Sequence, residues 1–263
     1  MIALMEEHQS KANNPSTEEL EAESDTINPS TGSSNRQEPK VFGHIYLGAP
    51  QKLSEIEVVQ KSIPQFKLKK LLAFFRAELP LLDVPVPQNL NEQITAQTKV
   101  CLNCFNFLIS DILSTKLMEF RFIKAQYESK VTWKTDTDYL RCSPKYYNNP
   151  RYDCVLLNTN NGPIFSRLVF VFTITLDGKN YPIALIQAYE RPHSISATLH
   201  KKDKDLGFLR LQQRKENQVE FVWAQSIIRG AVVVPAYDDK NHSIVFDILD
   251  ADMALRVMDI LGT

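Results

Sequence analysis

From Val155 onward the chain is cut into apolar runs of strand length: Val155 to Asn158, Ile164 to Leu176, Tyr181 to Tyr189, Leu206 to Gln212, Val219 to Val234 and Ser243 to Ile248. Their Val, Ile, Phe and Tyr content favours a pleated surface. Asp177-Gly178-Lys179-Asn180 and Asp238-Asp239-Lys240-Asn241 supply hairpin turn chemistry between them. Gly230 inside SIIRGAVVV marks a bulge or sharp bend. Short turns with no intervening helices predict an antiparallel, barrel-like or strongly bent sheet over 131–263. The spacing of Met253, Leu255, Val257, Met258 and Ile260 predicts a closing helix over Asp252 to Leu261.

The first half reads differently. Ser54-Glu55-Ile56-Glu57 offers a helix cap with acids in the first turn, Pro64 interrupts, and Phe66 to Leu79 forms an apolar helix with a basic edge ended by Pro80. Pro85 and Pro87 mark an extended connector. An α+β protein is therefore expected, with a helical subdomain over 41–130 preceding the β subdomain. Over 1–40, eight acids face three bases and large apolar residues are almost absent after Met5. This segment is expected to be a disordered acidic tail.

Charge and cysteine content bound the setting. The formal net charge of −1 gives no global attraction to nucleic acid or to an anionic membrane, so any such binding must come from a local patch. MIALMEEH meets acid too early for a signal peptide, and no apolar run reaches the roughly 20 residues of a membrane helix. With four cysteines and no secreted framework, an intracellular protein of nucleus or cytoplasm, away from the membrane, is expected. Cys101-x-x-Cys104 has half of a zinc spacing that Cys142 and Cys154 would complete, but its apolar neighbours fit buried thiols better.

Charged and aromatic residues crowd into 119–152. Seven bases there face four acids, interleaved with Phe120, Phe122, Tyr127 and other rings. Trp133, Tyr139, Arg141, Lys145, Tyr146, Tyr147 and Arg151 are the candidate binding residues, since rings stack on bases and cations meet phosphates. The competing reading is a structural clasp, with Arg141 or Arg151 paired to Asp138 or Asp153 across two subdomains. Asp247, Asp250 and Asp252 are weak candidates for a Mg²⁺ site, and read more simply as caps before a helix. Eight glycines, none in a phosphate-loop motif, and scattered histidines point to no cofactor and no hydrolase.

HIYLGAP (44–50), YESKV (127–131) with Trp133, DYLRC (138–142), PRYDCVLLN (150–158), FSRLVFVF (165–172), SIIRGA (226–231) and DILDADMALR (247–256) occur in this order. The series resembles an uncharacterised protein family of mushroom-forming basidiomycete fungi. Members are similar to accessory or C-terminal regions of open reading frames of Kyakuja-Dileera-Zisupton-type transposons. The resemblance implies a transposon-derived protein and supplies no catalytic residues. Against that pattern, Val100 to Glu119 stands as an added block whose ends can be encoded as intron borders, so it reads as a translated intron. The leading expectation is a non-enzymatic interaction module for protein or nucleic acid. The alternative is a metal-dependent nuclease-like or transposase-fragment enzyme using the three aspartates.

Overall fold

The computed structural model describes residues 41–51, 68–102, 117–215 and 218–262. The expected tail over 1–40 and the helix start at Ser54 lie outside the described residues. Strands β1 (Val41–Phe42) and β2 (Ile45–Leu47) are followed by helices α1 (Leu68–Glu78) and α2 (Leu90–Leu102). Then come β3 (Met118–Phe120), β4 (Phe122–Glu128), β5 (Thr135–Tyr146), β6 (Asn149–Tyr152), β7 (Cys154–Thr159), β8 (Gly162–Leu176) and β9 (Lys179–Glu190). Helix α3 (Ala197–Leu206) precedes β10 (Arg210–Gln213), β11 (Val219–Trp223), β12 (Ile227–Ala231), β13 (Val233–Pro235) and β14 (His242–Val245), and α4 (Ala251–Leu261) ends the chain.

The protein is α+β, with antiparallel pairing throughout. One sheet runs β1-β2-β4-β5-β6; the other runs β12-β7-β8-β9-β10-β14-β13, with β11 on β9 and β3 on β8. Among the described residues the sheets do not close into a barrel by a continuous ladder. They exchange strands instead: β3 and β4 are consecutive but belong to different sheets, the change falling at Arg121, and β6 and β7 do the same across Asp153.

Among the described residues this layout makes three apolar clusters. Leu71 and Phe75 of α1, Leu79 just after it and Ile94 of α2 pack on Phe172, Ile183 and Phe221 of one sheet face. A helix this apolar on one side needs such a partner. Lys70 Nζ donates to the Val219 carbonyl at 3.0 Å and Trp223 Nε1 to Glu78 at 3.1 Å, fixing α1 on β11. Between the two sheets lie Ile45, Ile123, Leu140, Val155, Leu168, Ala184 and Ile227. The third cluster sets Met253 and Val257 of α4 against Leu156, Phe165, Leu211 and Val245.

Several sequence expectations shift. The 41–130 stretch carries strands as well as helices, because FIKAQYE alternates Ile123 and Ala125 inward with Lys124 outward, the period of a half-buried strand. Helix α3 stands where no helix was expected. Its ATLHKKDKDL sequence lacks an apolar stripe, and the signals are its ends: Ser196 Oγ accepts the Leu199 N–H at 3.2 Å and Gly207 takes a left-handed φ of 69°. Buried Arg210 anchors it, donating to Asp203 of α3 and to Asp238 of the β13–β14 loop. The Asp177-Gly178 turn has left-handed φ at both positions, a type I′ hairpin. At the Gly230 bend the register shift falls between Ile227 and Arg229. Gly230 itself permits close approach, since a Cβ there would meet Leu140 Cδ2 at 2.9 Å.

The block 100–119 divides. Residues 103–116 lie outside the described residues, but Leu117 is buried in the helix–sheet cluster and Met118 and Glu119 ladder with Thr173 and Phe172 of β8. Among the described residues no helix is long and apolar enough to cross a membrane.

Candidate functional site

On β4 and β5 the buried apolar residues are Ile123, Ala125, Leu140 and Cys142, so Phe122, Lys124, Tyr139 and Arg141, which alternate with them, face outward. Phe122 lies directly opposite Arg141, and Lys124 opposite Tyr139. The Phe122 and Tyr139 rings stack with centroids 5.7 Å apart and planes 19° from parallel. Lys124 Nζ sits 5.4 Å from the Tyr139 centroid, and the Arg141 guanidinium lies 5.1 Å from Phe122 and 4.7 Å from Tyr146. Arg151 of β6 faces Tyr146 at 5.1 Å. The result is one row of interleaved cations and rings across three strands: Lys124, the stacked pair Tyr139 and Phe122, then Arg141, Tyr146 and Arg151.

The row ends at a tight corner. Tyr146 pairs with Asn149, leaving Tyr147 and Asn148 as a two-residue turn with φ of 46° and 67°. A type I′ turn needs left-handed backbone at both places and favours Asn or Gly there, so Tyr147 is held in a conformation that costs a bulky residue energy. Its ring meets Tyr146 edge-on, centroids 4.7 Å apart, yet the residue is 85% exposed. Trp133 is similarly left-handed at φ 56° and 75% exposed, but it lies in the β4–β5 loop, beyond the other end of β5. Lys145 is exposed beside the β5 irregularity, where Ser143 Oγ donates to its carbonyl at 3.0 Å. Tyr139, Arg141, Tyr146, Tyr147 and Arg151 are thus brought together, and Trp133 stands apart. Phe122 and Lys124 join the row without having been among the seven candidate residues, and the alternation of FIKAQYE is the signal that places them.

The clasp forms with a different arginine. Arg151 does pair with Asp153, Nε to Oδ1 at 2.9 Å, but Arg151 is exposed and lies at the surface. Asp153 also accepts the Arg141 N–H at 2.9 Å, which steadies the change of sheet. Asp138 turns inward to Arg229 of β12, accepting Nε at 3.3 Å and the Gly230 N–H at 2.8 Å. Burial raises the Asp138 carboxyl above its ordinary range, against the pull of Arg229.

Arg229 is also where the acidic triad leads. Its guanidinium donates to Asp252 at 2.5 Å and to Asp250 at 2.6 Å, and lies 4.4 Å from the Tyr127 ring. Asp250 caps α4, accepting the Met253 N–H at 2.9 Å. Asp252 is buried and also accepts from Arg256 and from the Lys130 N–H, while Lys130 Nζ pairs with Asp259. Burial alone would raise the Asp252 carboxyl; Arg256, Lys130 and Arg229 together hold it below the usual range. Asp247 stands apart from this network, pushed up by burial and by the Asp250 charge. Among the described residues no group of three His, Cys, Asp or Glu is arranged to hold a metal ion. Cys142 is buried and its thiol is pushed well up by burial, opposite to what a thiolate ligand needs, and Cys101 and Cys104 have no described side chains.

Tyr127, faced by both Arg229 and Arg256, gives this network an alkaline signature. Burial, reinforced by Asp138, pushes its phenol up to about 12. The unfolded chain loses that proton near pH ~10, so the contribution is complete below about 10 and is lost as pH rises from there through about 12. Tyr127→Phe is expected to flatten the decline of melting temperature between those values; parallel curves for the two proteins would contradict it.

Compared with family models, curated proteins and solved structures, the chain matches none of them.

Proposed function

We propose that the protein is a non-enzymatic binding module that takes an anionic partner on the outer face of β4, β5 and β6. The row from Lys124 to Arg151 carries this reading. Neither the Lys124 ammonium nor the Arg141 guanidinium has a carboxylate partner among the described residues; each is steadied instead against rings. A guanidinium lying on a ring keeps its N–H edge free to donate to an incoming anion. Of the three aspartates that a nuclease-like chemistry would use, Asp250 is committed to its cap and Asp252 to Arg229 and Arg256, while Asp247 stands apart from both. We place the module, following the sequence resemblance and the thiol content, in a transposon-derived intracellular setting, and we read its two strand-sharing sheets as barrel-like.

Retention on heparin–agarose tests the face. A chain of net charge −1 has no global reason to bind a polyanion, so retention must come from a patch. The wild-type protein is expected to be retained, and Lys124→Ala/Arg141→Ala/Arg151→Ala to elute at clearly lower salt with its melting temperature within a few degrees. Equal elution of the two proteins would overturn the assignment.

A further inference from the structure

We infer, resting on the binding face just described, that its partner is a single-stranded polynucleotide, with Tyr147 as the terminal base-stacking ring. Cations alone would serve any anionic surface. What narrows the ligand is that each cation comes with a ring: Lys124 with Tyr139, Arg141 with Phe122 and Tyr146, Arg151 with Tyr146. A single strand likewise offers phosphates and unstacked bases side by side, and base–aromatic stacking is indifferent to sequence. In a duplex the bases already stack on one another, so the rings would gain nothing. An acidic polypeptide would use the cations and leave the rings idle.

Tyr147 is the independent sign. A tyrosine in left-handed backbone at the first turn position is strained where Asn is relaxed, and at 85% exposure its ring returns little packing within the protein. Strain kept at an exposed ring is accounted for if the ring meets something outside the fold. The distance fits as well. From Tyr139 to Tyr146 strand β5 rises roughly 23 Å at about 3.3 Å per residue, a span of a few nucleotides and the low end of sites of about 4–16 nucleotides. Phosphate contacts and ring stacking are common to DNA and RNA, so the platform is expected to take both.

Fluorescence anisotropy with labelled oligothymidylate and oligouridylate of about 12 nucleotides tests this, beside a duplex of equal length and polyglutamate. The wild-type chain is expected to bind both single strands with similar affinity and to prefer them to the duplex and to polyglutamate. Tyr147→Asn is expected to weaken single-strand binding roughly tenfold while raising the melting temperature, a pair of opposite signs that mere unfolding cannot produce. Tyr139→Ala is expected to weaken binding similarly. The Lys124/Arg141/Arg151 triple variant should flatten the salt dependence by about 0.7 in log–log slope for each phosphate that is no longer neutralised. Single-strand affinity unmoved by Tyr147→Asn and Tyr139→Ala overturns the inference, as does equal affinity for duplex or polyglutamate. If heparin retention still falls in the triple variant, the face survives and the ligand class is wrong; if retention is unchanged, the face itself is wrong.

Discussion

Arg229→Ala is expected to lower the stability of the fold by about 3–5 kcal/mol, the cost of removing one partner from a buried ion pair. The side chain is 7% exposed and reaches three carboxylates on two elements that are far apart in sequence, Asp138 on β5 and Asp250 and Asp252 at the start of α4. Burial by itself would lower the guanidinium's proton affinity; the hydrogen bonds to Asp252 and Asp250 more than offset it. Without the arginine, among the described residues Asp252 keeps Arg256 and the Lys130 N–H, and Asp138 keeps the Gly230 N–H. The stranded charges repel, and the seam between α4, β5 and β12 loses its centre. Arg151→Ala, at the site where the sequence places the clasp, is expected to cost less than about 1 kcal/mol, as exposed pairs do. Urea denaturation of the two variants separates these outcomes. An Arg229→Ala protein within about 1 kcal/mol of wild type would show that the network is not what holds the helix.

The contrast between these arginines shows what a sequence can carry. Arg151 and Asp153 lie two residues apart on an extended chain, so their meeting follows from strand geometry alone, and they do meet. Asp138 and Arg229 are separated by 91 positions, and nothing in DYLRC or SIIRGA says that one answers the other. Caps are local, so Asp250 was legible as the start of a helix. Its second engagement with Arg229 was not.

The binding face divides in the same way. Tyr139 and Arg141 share a side by simple alternation, but Tyr146 should then point away from Arg141. The β5–β6 register shift between Ser143 and Tyr146 changes the parity and brings that ring under the guanidinium. A bulge of this kind has no dependable sequence signature, though Pro144 within it removes a ladder donor. The strands after Val155 were legible where each carries its own apolar pattern and turn; the Val219 to Val234 run, continuous in sequence, is broken into β11, β12 and β13. The division into a helical half and a β half was less so, since β1, β2 and β4 complete a sheet whose other members come from 135–152.

Excision of Val100 to Glu119, joining Lys99 to Phe120, is expected to cost at least about 3 kcal/mol, or to abolish cooperative folding in a domain whose total is of order 5–15 kcal/mol. A translated intron without a packing role would be removed at no cost. The end of this block is not idle: Leu117 is 5% exposed in the cluster formed by Phe75, Leu90, Ile94 and Phe172, and removing a buried leucine alone costs about 2–5 kcal/mol. Two of the three β3–β8 pairs, Met118 with Thr173 and Glu119 with Phe172, disappear with it. Arg121 loses Glu119 at 3.0 Å, and the Gln51 N–H loses the Glu119 carbonyl it meets at 2.9 Å. Because β3 and β4 carry the chain from one sheet to the other through Arg121, shortening β3 to Phe120 also removes much of the anchor that fixes where β4 begins, and with it Phe122 and Lys124 of the binding face. Thermal melts of the excised protein and of Leu117→Ala test this together. The point variant reads the burial without altering connectivity, and the excision adds the ladder. If both melt within a few degrees of the parent, β3 is dispensable and the block contributes nothing to the fold.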